Sequence, residues 1–245
     1  MKEKVLKIEE FISTSLFTCL AILFVPVLLN SFIANTLVMC SNVNGVGFTI
    51  YKAGNYMGLF AGFLAYILAL TSLTIPRIRH NLDWFIKFTH ELTHTLVAVL
   101  FFGKIREFVV RDRECYVSYL TGPIGYVPIT LSPYCIPIYT FMLFPFRFAG
   151  DSHYMIGFDF MIAFTYAFHI LSFIMHTRFT QPDIANCGKA RSITFISFVH
   201  LWVLSLIMAI PRGGVLNAIT RVCYTYPKAI LSDPIQWYKD MMSLL

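Results

Sequence analysis

The sequence predicts an all-α polytopic membrane protein with about six transmembrane helices and a small β-hairpin after the third. Three observations predict it. Hydrophobic residues make up 57% of the 245 positions and charged residues 13%, against roughly 45 to 50% and about 25% in soluble domains. The mean hydropathy is +0.68, and a soluble chain of this size has no interior large enough to hide that much apolar surface. The apolar residues also gather in stretches of about 20, the length that crosses roughly 30 Å of hydrocarbon. Together these exclude a soluble globular enzyme, a disordered chain, a nucleic-acid arm and a disulfide-stapled secreted domain.

The 19 Lys+Arg and 13 Asp+Glu give a formal charge of +6. The basic residues are scattered between apolar segments, which suits loops at an anionic headgroup surface. Nucleic acid would want a basic stripe, so the expected partner is the lipid bilayer. Six cysteines lie far apart without CxxC spacing and read as small buried hydrophobes. Met1 to Glu10 alternates Lys and Glu before a long apolar run with no clear small-residue cleavage site, which reads as a retained first helix.

The first segment runs from about Ile12 to Ala34. A polar loop, Cys40 to Asn55, with turn signals at Asn44 and Gly45, leads to the second, about Met57 to Ile75. Pro76 to Asn81 punctuates the chain before the third, about Leu82 to Phe102. Lys104 to Leu120 then alternates apolar and polar residues around the charged turn Arg111-Asp112-Arg113-Glu114, the pattern of a β-hairpin. The fourth segment is about Ile124 to Phe146 and the fifth about Met155 to His176. After a polar break, Thr177 to Asp183, the sixth runs from about Ile184 to Ile210. The tail after Pro211 is too polar to span but amphipathic enough to lie in the interface, with Tyr224, Tyr226, Trp237 and Tyr238 at headgroup level.

Inside the third segment stands His90-Glu91-Leu92-Thr93-His94. Residues four apart on a helix share a face, so His90 and His94 can bring two imidazole nitrogens to one metal ion, at about 2 Å each. Glu91, one step round, can reach a water in the metal's open position without being a ligand, which is the place of a general base. Given seven His and six Glu, chance produces HExxH in on the order of 0.5% of such chains. Three ionisable residues within five positions of a membrane helix are also costly to keep.

A catalytic zinc needs a third protein ligand and one open position. Asp83, Asp151, Asp159, His169, His176 and Asp183 are the candidates. Asp83 lies two turns before His90 on the same helix, and Asp151 falls in a short loop beside His153. Asp159 suits a charge at the start of a helix. Asp183 is the strongest, because Pro182 interrupts the backbone between two apolar segments and lets a carboxylate project from irregular chain. His169 stands in reserve, as a ligand, as a group supporting one, or as a satisfied interhelical histidine.

The HExxH helix, the alternating stretch from Gly103, Leu131-Ser132-Pro133-Tyr134-Cys135-Ile136-Pro137, Phe168-His169 and Gln181-Pro182-Asp183 together resemble the site-2 protease superfamily of intramembrane zinc metalloproteases. The resemblance is to the compact bacterial branch without a PDZ domain, and it covers about Phe85 to Ile210. It implies zinc held by His90, His94 and Asp183, Glu91 as catalytic base, a membrane-spanning protein or peptide as substrate, and a multi-pass protein of a bacterial inner membrane. Many members carry the aspartate in an Asn and Pro-Asp-Gly context, whereas here Ile184 follows it. The resemblance also gives the hairpin a task, holding an unwound substrate segment by strand addition. Pro133 and Pro137 would kink the fourth segment and leave carbonyls free beside the cleft. On this reading residues 1–81 form an N-terminal pair and loop, 82–210 an intramembrane metalloprotease core, and 211–245 an interfacial tail. Two other functions fit the same residues: a non-catalytic membrane scaffold, for which Glu91 would be superfluous, and a metal or proton transporter with a His/Asp relay.

Overall fold

The structure is a computed structural model that describes residue 15 and residues 50–111, 114–122, 125–150, 154–212, 214–233, 235, 236 and 239. The first expected segment, apart from residue 15, lies outside these, as do Asp112, Arg113, Asp151, His153, Trp237 and Tyr238. The described chain is mostly helical, with one two-stranded antiparallel sheet.

Helix α1, Ile50–Ala69, is followed by a 3-10 turn, Leu70–Thr74. It begins inside the stretch expected as a polar loop. Helix α2, Pro76–Leu100, starts six residues before the expected third segment. Proline at the first helical position gives up only an N–H that would lack a partner anyway, so the apparent punctuation is a helix start. Strands β1, Lys104–Val110, and β2, Cys115–Leu120, form the expected hairpin. Lys104 faces Leu120 and Val110 faces Cys115, with a bulge between Ile105 and Glu107. The Tyr116 hydroxyl donates to Glu107 at 3.1 Å, which raises the phenol above its ordinary pKa of 10.0.

The fourth expected segment is two helices, α3 at Tyr126–Cys135 and α4 at Ile138–Ala149. Pro137 disfavours helical backbone at the residue before it, and Ile136 is extended, at φ −102° and ψ 105°. Helix α5, Met155–His176, matches the fifth segment. The sixth is also divided. A short helix α6, Pro182–Cys187, ends at Gly188, whose φ of 85° favours glycine, and α7 follows at Lys189–Ala209. Asp183 therefore stands in the first turn of a helix and not on irregular backbone. The tail forms α8, Gly214–Thr220, a π-helical turn, Arg221–Thr225, and α9, Tyr226–Ser232.

Among the described residues two helices, α5 and α7, are long and apolar enough to cross a membrane, or three if α3 and α4 count as one broken span. Helix α2 is long enough but carries Arg77, Arg79, Asp83, Lys87 and Glu91. Helix α1 and the 3-10 turn after it offer only the shorter apolar stretch Tyr56–Ser72. Helix α1 nevertheless exposes Met57, Phe60, Leu64 and Ile67 along one face, a surface that suits lipid better than water.

The chain divides into two compact units. Among the described residues the first takes in Leu68–Ile136 and Ile170–Val199. Helix α3 is its centre. Residues 127–132, with Tyr134 and Cys135, are all buried, as a helix apolar on nearly every side requires. Ile129 packs with Val97 and Ala98 of α2, flanked by Ile105 and Tyr119 of the hairpin. Val127, Leu131 and Cys135 pack with Ile184, Cys187 and Ile196.

The second unit holds residues 50–67, Pro137–His169 and the described residues from His200 on. Gly58 and Gly62 bring α1 against the α5 backbone, where a side chain at either would collide with the Ile156 or Phe160 carbonyl. Small residues four apart are the usual means by which membrane helices approach closely. Tyr66 meets Phe164 and Phe168 edge-on, and Thr140 shares a hydrogen bond with Thr165 at 3.1 Å.

Candidate metal centre

The HExxH residues lie on α2, with Glu91 and His94 buried and His90 partly open. One helical turn separates the two histidines, and their ring centroids are 4.9 Å apart. Asp183, brought by the first turn of α6, joins them. Its Oδ2 is 3.6 Å from His90 Nε2 and 3.7 Å from His94 Nε2. These separations are too long for hydrogen bonds. Two atoms each about 2.0 to 2.1 Å from one ion at a tetrahedral angle stand about 3.3 Å apart, close to what is seen. One ligand atom from each of the three residues lies within 4.8 Å of the others, the sole such group of three among the described residues.

His94 Nδ1 decides how that group is read. It donates to the Ile129 carbonyl at 2.8 Å, which places the proton on Nδ1 and the lone pair on Nε2, the nitrogen that faces Asp183. A backbone carbonyl behind a histidine is the usual partner that orients a metal-binding imidazole. Two imidazole nitrogens and one carboxylate suit a borderline divalent ion such as zinc. The residues therefore fit the ion that the motif implies.

Glu91 sits beside this group without joining it, and the Val117 backbone N–H of β2 faces its carboxylate. A cavity of about 660 Å³ opens onto His90 and Glu91, walled by Arg79, Asp83, Lys87 and His176. Arg79, Asp83, Lys87 and Glu91 recur every four residues, so one polar face of α2 leads down to the site.

The other candidates are engaged elsewhere. Asp83 pairs with His176 at 3.7 Å on the cavity wall, both half-exposed. Asp159 is held by Arg147, whose Nε donates to its Oδ1 at 2.7 Å. His169 is buried against His200, with ring centroids 5.6 Å apart. Asp151 lies outside the described residues.

Tyr134, to which the sequence alone assigns no task, stands at the site. Its hydroxyl donates to Asp183 Oδ2 at 2.9 Å, and its ring stands edge-on to His90 with centroids 5.2 Å apart. The available signal was its place between Pro133 and Pro137, in a helix expected to flank the cleft. No family model, curated protein or solved structure matches the chain.

Proposed function

We propose that the protein is an intramembrane zinc metalloendopeptidase of the site-2 protease kind, crossing the membrane about six times with α2 as one of the spans. The observation that carries the reading is the Asp183 carboxylate facing both HExxH histidines on their Nε2 sides, with Glu91 adjacent and outside the group. At 25 residues, α2 is about 37 Å long, enough to cross the hydrocarbon despite its polar face. That face borders the cavity, where water can reach Glu91.

His90 and His94 would hold zinc through Nε2, and Asp183 through a carboxylate oxygen. When bound, zinc supplies a Lewis acid that polarises the scissile carbonyl and acidifies a water. Glu91 takes a proton from the attacking water, whose oxygen bonds to the carbonyl carbon. As the C–N bond breaks, Glu91 returns that proton to the leaving amine. The hairpin lies against α2 and suits the task of holding an unwound substrate strand by main-chain hydrogen bonds.

Purified wild type and Glu91→Gln test this, with bound zinc measured and single-span membrane proteins offered as substrates. Glu91→Gln is expected to keep zinc and lose about 10²- to 10⁴-fold in cleavage rate. Cleavage undiminished in Glu91→Gln overturns the mechanism. Metal flux into liposomes would point to a transporter, and partner capture by a wild type that never cleaves would point to a scaffold.

A further inference from the structure

We propose that α3 is the orienting element of the metal centre, with Pro133 and Tyr134 as its positioning residues. The proposal rests on the reading of His90, His94 and Asp183 as zinc ligands. In an α-helix the carbonyl of residue i accepts from the N–H of residue i+4. Four residues after Ile129 stands Pro133, which has no N–H. The Ile129 carbonyl, on a residue with no exposed surface, is thereby denied its helical partner and must be satisfied from outside the ladder. Two donors meet it, His94 Nδ1 and the Ser132 hydroxyl, each at 2.8 Å. The proline thus creates the acceptor that fixes the His94 tautomer.

Five residues along the same helix from Ile129, Tyr134 meets the other two ligands. Its hydroxyl donates to Asp183 Oδ2, and its ring packs at 85° to the His90 imidazole. All three ligands, from chain positions 90, 94 and 183, therefore lean on one ten-residue helix. Burial on nearly every side of α3 leaves it little room to shift, which is what an orienting element requires.

The test measures zinc affinity by chelator competition for full-length wild type, Pro133→Ala and Tyr134→Phe, with zinc-free thermal unfolding recorded alongside. Pro133→Ala supplies an N–H that competes for the Ile129 carbonyl, and Tyr134→Phe keeps the ring while removing the hydroxyl. Each is expected to weaken zinc binding by about 10- to 100-fold. The zinc-free Pro133→Ala protein should unfold at the same or a higher temperature, because alanine is the better helix former. A structural proline would not move stability and affinity in opposite directions. In Pro133→Ala the His94 imidazole ¹⁵N shifts should leave the Nδ1-protonated pattern, and in Tyr134→Phe they should keep it. Wild-type zinc affinity in both variants overturns the proposal and leaves the zinc reading standing. A wild type that binds no zinc overturns both.

Discussion

In the second unit a guanidinium and a carboxylate, Arg147 and Asp159, meet at 2.7 Å with 4% exposure each. In the first, two imidazoles and a carboxylate meet at 3.6 and 3.7 Å. The first arrangement is complete, since each ion neutralises the other and the guanidinium reaches both carboxylate oxygens. The second gathers three electron-pair donors around a point where none of them supplies the positive charge, and each of them contacts helix α3. The ion pair needs nothing further to be neutral, whereas the three convergent donors leave room for the cation that the proposed function assigns to them.

Asp183→Ala breaks the comparison most severely, because it removes a donor from the convergent group. Zinc affinity should fall further than the 10- to 100-fold typical of losing an outer partner, and metal analysis of the purified variant reads the loss directly. Retained zinc there, with loss in His169→Ala, would move the third ligand to His169. Arg147→Met attacks the complete pair and leaves Asp159 buried without a counter-ion, at a cost of about 3 to 5 kcal/mol in unfolding free energy. The double variant Arg147→Met/Asp159→Leu should recover most of that in the same denaturation experiment. Asp83→Asn sharpens the contrast from the other side. The Asp83–His176 pair is half-exposed, so its loss should change stability by less than about 1 kcal/mol and leave zinc affinity unchanged. A large loss of zinc in that variant would mean that the cavity wall, and not only the three donors, forms the centre.

Local patterns made much of this legible. HExxH placed His90, Glu91 and His94 on one helix and alternation placed the hairpin within a residue or so of its bounds, whereas the proline before Asp183 starts a helix and leaves no irregular chain there. A length ruler for membrane spans misled where it overrode local chemistry. Pro137 divides the fourth segment and Gly188 the sixth, and Pro76 opens the helix of the third segment instead of preceding it. Gly58 and Gly62, small residues four apart, mark the close approach of α1 to α5. Other features had no local signature at all. Arg147 engages Asp159 from another helix, while the Ile129 carbonyl and Tyr134 hydroxyl act on residues 35 and 49 positions away. Such partners are set by topology.

The three residues between α2 and β1 have a mechanical consequence. The N–H groups of Phe101, Phe102 and Gly103 are all tied back to helix carbonyls, at Val97, Val99 and Ala98. Phe102 takes the left-handed φ of 57° that this helix ending demands and that glycine usually supplies. The junction has no slack. Displacement of the hairpin is therefore passed as torque to the last turns of α2, whose Val97 and Ala98 also grip Ile129. Strand and helix form one lever, and whatever loads the strand also pulls on the turn beyond His94.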